Sequence, residues 1–156
     1  QAGPKQWALV QQLAAVKITY PKLSSLGKSF EKELKAAKEA IDKCGEKVDC
    51  WAKEMVSSEN QKGQGFVGIK AAYMVAIFGG GNARGILVDA LPKLKNPAIQ
   101  FVAVSAIDRL SPSGNKATAD KMQKIVDKAI ESKDAGRIKS VNPLKTVIYR
   151  LNARAQ

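Results

Sequence analysis

Apolar residues in this chain recur at steps of three and four. Glycine, proline or asparagine breaks the pattern at intervals short enough to turn each helix back on the last. No segment sustains the period-two alternation of a half-buried strand. The expected fold class is therefore all-α. Only 6% of residues are aromatic, so Ala, Leu, Ile and Val must fill the core. At 156 residues the expectation is a single helical domain over 1–156, burying roughly two-thirds of its unfolded surface.

Eight helical segments are expected. The first follows Pro4, carries Trp7, Val10, Leu13 and Ala14, and ends at Pro21, since a proline disfavours helix in the residue before it. Phe30, Leu34, Ala37, Ile41 and Cys44 form the stripe of the second, which stops at Gly45. The third covers 47–57 with Val48, Trp51, Ala52, Met55 and Val56 inward, and the polar residues 58–65 read as a loop. The fourth carries Phe66, Ile69, Ala72, Tyr73, Ala76 and Ile77 to Gly79-Gly80-Gly81. Asn82 is a candidate N-cap for the fifth, which turns Ile86, Leu87, Ala90, Leu91 and Leu94 to one face. Asn96-Pro97 opens the sixth, with proline in its tolerated first-turn place and a stripe of Ile99, Val102, Ala103, Ala106, Ile107 and Leu110. The turn 111–115 leads to the seventh, near 117–132, with Met122, Ile125, Val126, Ala129 and Ile130. A loop over 133–141 precedes Asn142-Pro143 and the eighth, with Leu144, Val147, Ile148 and Leu151.

The last six segments form three pairs. First members begin near 47, 83 and 117, second members near 65, 98 and 143. A period in the thirties means one helical hairpin per repeat. Moving the fourth segment by 32 sets Ile69 on Phe101, Ala71 on Ala103, Val75 on Ile107 and Phe78 on Leu110. Residues 86–114 resemble a HEAT repeat. Leu91-Pro92-Lys93-Leu94 is similar to the proline-bearing end of a family first helix. Asn96-Pro97 stands where the family has an Asp-containing turn, and Ile99-Gln100 where a Val-Arg pair opens the second helix. The family's stacked Asp–Arg ladder is thus mostly absent.

This resemblance implies an α-solenoid of about three stacked antiparallel hairpins over 46–156, capped by a helical segment over 1–45. Each hairpin buries the stripes its neighbours cannot bury alone. The middle repeat is then the stability centre, and truncating Leu151 in the end repeat is expected to cost less than truncating Leu91 or Ile107. Second helices line the concave face of such arrays, which makes Phe66, Lys70, Tyr73, Gln100, Lys145 and Tyr149 the candidate binding face. Trp7 and Trp51 sit within stripes and are expected in the core.

Cys44 and Cys50 would lie about 9 Å apart along one unbroken helix, beyond the roughly 7 Å that a disulfide allows between Cα atoms. Gly45 breaks the helix, and a corner there brings them together. A disulfide and an oxidising compartment are expected; two reduced cysteines in a cytosolic core are the alternative. The spacing is not that of the redox C-x-x-C motif. Helix pairs with a short-spaced cysteine pair also resemble exported bacterial proteins, so an exported or periplasmic location is expected, with cytoplasmic as the alternative. A domain cut from a larger protein fits the same pattern.

The chain has no histidine, which removes the usual general base and the commonest transition-metal ligand. Two cysteines alone do not complete a tetrahedral metal site. Residues 79–85 are glycine-rich but lack the Gly-Lys-Ser/Thr ending of a phosphate loop and any preceding strand. Only a helix start near Arg84 is left as an anion site there. No catalytic residue, metal or cofactor is expected. No apolar run approaches the ~18 residues of a membrane span.

Net charge is +12, with Lys5, Lys17, Lys22 and Lys28 the only charges in 1–30, and Arg137, Lys139, Lys145, Arg150 and Arg154 the only charges in 137–156. The middle is nearly balanced. The leading expectation is a non-catalytic scaffold that binds another protein, one with acidic character fitting best. A basic nucleic-acid-binding helical repeat is the alternative, and anionic lipid is a third kind of partner for the basic ends.

Overall fold

The computed structural model describes residues 21–58 and 65–156. The first expected helix, with Trp7, lies outside them, as does most of the 58–65 segment. Among the described residues there are eight α-helices and no strand. They are α1 (Pro21–Cys44), α2 (Val48–Ser57), α3 (Gly65–Phe78), α4 (Ala83–Ala90), α5 (Pro97–Arg109), α6 (Lys116–Glu131), α7 (Ala135–Ser140) and α8 (Asn142–Arg154). Short 3-10 turns at Gly80–Asn82 and Leu91–Lys93 flank α4.

Helices pack in pairs: α2 on α3, α4 on α5, and α6 on α8. The pairs also meet. Second members run α3 to α5 to α8, and first members α2 to α4 to α6. Burial follows the helical period. Val67, Ala71 and Val75 of α3, Ile99, Ala103 and Ile107 of α5, and Leu144, Ile148 and Leu151 of α8 all enter one core. The 32-residue shift thus keeps Ala71 with Ala103 and Val75 with Ile107, but half-buried Ile69 falls on Phe101, which is 64% exposed. Helices α3 and α5 approach closely at Gly68, where a Cβ would collide with the Ile99 side chain and the Ser58 hydroxyl. Leu151 is as fully buried as Leu91 and Ile107, which removes burial as a reason for its truncation to cost less.

Helix α1 lies on α3 and α2 and includes Pro21, nine residues before the Phe30 that begins its expected stripe. Its contact with α3 rests on two non-local links. Phe30 stacks on Phe66 with ring centroids 5.9 Å apart, and the Phe66 amide donates to Glu33 Oε2 at 3.0 Å. That carboxylate serves an orphan donor at the N-terminus of α3, where it also meets the positive end of the helix dipole.

Several local expectations are corrected. Asn82 does not cap α4: its backbone is helical and its side chain accepts no capping bond, because the 3-10 turn already continues into the helix. The 133–141 loop contains α7, which Asp134 caps by accepting from the Arg137 amide at 2.8 Å. Ile130 is 48% exposed, and Tyr73 and Ile77 are 44% and 50% exposed, so these leave the core stripe. The two Asn-Pro openings also differ. Asn96 is extended and accepts from the Ala98 and Ile99 amides, whereas Asn142 is already inside α8, with Val141 in the cap position and no side-chain cap.

Candidate interaction surfaces

The corner between α1 and α2 joins Cys44 to Cys50, with Cα atoms 5.4 Å apart. Gly45 reverses the chain at φ +52°, a left-handed conformation that costs glycine little. Trp51, fully buried, donates its indole N–H to the Gly45 carbonyl at 2.7 Å. Lys43 and Glu54 pair across the corner at 2.5 Å. The Glu54 carboxylate also lies within 4.8 Å of both sulfurs, but bonded to each other these sulfurs are not the thiolates that bind a metal.

Of the six residues of the expected binding face, one is buried. Gln100 is 6% exposed and belongs to a cavity on the first-helix side. Phe66 is half-buried and occupied by Phe30 and Glu33. Lys70 is half-buried, while Tyr73 on α3 and Lys145 and Tyr149 on α8 are exposed. Three further large apolar side chains of the second helices are exposed: Ile77 and Phe78 on α3 and Phe101 on α5. Phe101 was findable, since it falls between the buried positions Ile99, Val102 and Ala103 of its helix.

Positive charge at the C-terminal end is partly spent. Arg150 donates to Asp108 Oδ2 at 3.1 Å and Arg154 to Asp108 Oδ1, clasping α8 to α5. Arg84 is tied as well, with Nη1 at 3.5 Å from the Leu110 carbonyl and 3.4 Å from the Ser111 hydroxyl. The helix start at residue 83 therefore offers no arginine to an anion, and Gly79 ends α3 by donating to the Val75 carbonyl.

A concavity of about 930 Å³ lies between α4, α6 and α7. Val88, Leu91, Ile125 and Val141 give it an apolar floor, and Lys121, Lys124, Lys128 and Arg137 stand around it. No helix among the described residues is long and apolar enough to cross a membrane. No family model, curated protein or solved structure matches this chain.

Proposed function

We propose that this chain is a non-catalytic, HEAT-like helical scaffold that binds another protein through the outer face of its second helices. The serial packing of α3, α5 and α8 beside α2, α4 and α6 supports the array, with α1 as part of its N-terminal cap. The single observation that carries the binding face is the set of exposed apolar groups on three successive second helices: Tyr73 and Ile77, Phe101, and Tyr149. Aromatic groups of this kind dominate the energetics of protein interfaces. The Cys44–Cys50 bond supports an oxidising, exported setting, and a place within a larger protein fits the same reading.

Cross-linking in the native compartment followed by mass spectrometry tests it, comparing the wild type with a Phe101→Glu/Tyr149→Glu variant. A partner captured by the first and lost by the second is the expected result. An unchanged set of partners overturns the face. Nucleic acid is the competing reading, and the tying of Arg84, Arg150 and Arg154 speaks against it. Tight binding of labelled duplex or single strand at about 150 mM salt, where the Debye length is about 8 Å, would reverse that preference.

A further inference from the structure

The cavity between α4, α6 and α7 is on the opposite layer from the second-helix face and does not depend on it. Its volume of about 930 Å³ falls at the upper end of the roughly 300–1,000 Å³ typical of ligand sites. Three features of its wall point the same way.

Lys121, Lys124 and Lys128 line it from one face of α6, at spacings of three and four, and Arg137 faces them from α7. None of these four side chains makes an ion pair with the described residues. The two acids in the lining are Asp89 and Asp134, and Asp134 is engaged in capping α7. The wall is therefore cationic on balance, while the floor is apolar.

Gln100 adds a third feature. It is 6% exposed, lines the cavity, and its carboxamide has no hydrogen-bond partner among the described residues. No buried side-chain nitrogen or oxygen among the described residues is left without a partner, so the polar atoms of this amide open onto the cavity it lines, where an incoming group can reach them. A carboxamide holds a donor and an acceptor together, the same complement as a peptide group.

We propose that this groove binds an acidic peptide segment in extended form, with an apolar side chain seated on the Val88–Leu91–Ile125 floor, carboxylates facing the α6 lysines and a peptide group meeting Gln100. The lysine row spans about 10 Å along α6, which is about three residues of extended chain. A bilayer does not fit, because the apolar floor is recessed and a flat surface cannot reach it. Nucleic acid does not fit, because its affinity comes from a long track of phosphates, whereas these cations form one short row flanked by two acids.

The test is selection of a displayed random ten-residue peptide library on the intact, oxidised protein, with Lys124→Glu/Lys128→Glu and Tyr149→Glu proteins in parallel. Both lysines are exposed, and thermal melts check that the variants fold. The expected outcome is enrichment of peptides combining Asp or Glu with Leu, Ile or Phe. Their affinity should fall roughly tenfold or more in the double lysine variant, as reversal of two rim charges implies, and stay unchanged in Tyr149→Glu. Enrichment of neutral or basic peptides, no enrichment at all, or equal affinity for the lysine variant overturns the proposal. So does preferential, Lys124-dependent binding to phosphatidylglycerol vesicles or to oligo-dT. Loss of binding in Tyr149→Glu alone would move the peptide to the second-helix face and leave the scaffold reading standing.

Discussion

At one end of the described fold the corner between α1 and α2 is closed by a covalent bond, a tryptophan hydrogen bond and an ion pair, all within residues 43–54. At the other end α8 is clasped to α5 by Asp108, which receives Arg150 and Arg154 from more than forty residues away. The first fastening is local and acts by restricting the unfolded chain. The second is non-local, exposed to solvent and open to screening. The two ends should therefore fail under different conditions, reductant loosening one and salt the other.

The largest effects lie beneath both fastenings. Trp51→Ala removes a fully buried ring and its bond to Gly45 and should cost ~3–5 kcal/mol, while Leu151→Ala should cost ~2–5 kcal/mol. Denaturant melts check both. A Leu151 cost well under ~1 kcal/mol would mean that the C-terminal pair contributes little to the shared core. Next comes the bond itself. Reduction, or Cys44→Ser/Cys50→Ser, should cost about 2 kcal/mol by the chain-entropy account. Melts with and without reductant, with free thiols counted, check this; identical melts and free thiols in the untreated sample would remove both the bond and the argument for export.

A smaller contrast separates the two Asn-Pro openings. Asn96→Ala should cost about 1 kcal/mol, because its side chain caps α5, whereas Asn142→Ala should cost no more than a few tenths. Equal costs would mean that the dipeptide, and not the cap, sets the stability of each helix start.

Much of the fold was legible where the cause is local. Gly45 between two cysteines predicts the corner, and the stripes of α5 and α8 place Ile99, Ile107, Leu144 and Leu151 inside. The stripe of α3 is harder to read, since that helix is apolar nearly all round and no one face stands out by its period; Ile77 falls in the expected stripe for that reason, and Tyr73 in both the stripe and the candidate binding face. The site was less legible still. Gln100 sits one residue after a buried isoleucine, and its burial comes from the first-helix layer it meets there. Glu33 with Phe66 and Asp108 with Arg150 join residues 33 and 42 apart. A periodicity argument relates only neighbours along one helix, so such pairs lie outside its reach. The apparent absence of an Asp–Arg ladder has the same origin: an Asp–Arg link is present, but between α5 and α8 and at other positions.

That link gives the sharpest test of the comparison. Asp108 is largely buried, but Arg150 is 59% exposed on its side chain and Arg154 35%, so each pair is worth less than ~1 kcal/mol after screening. Asp108→Asn keeps the shape and removes the charge. It should destabilise the protein by about 1 kcal/mol at low salt, and the difference from wild type should shrink as salt is raised. The same salt series should leave the effect of reductant unchanged, because a disulfide carries no charge to screen. If the Asp108→Asn cost persisted undiminished at about 1 M salt, where the Debye length is about 3 Å, the clasp would owe its strength to hydrogen-bond geometry rather than to charge. The two ends of the molecule would then differ in covalency alone.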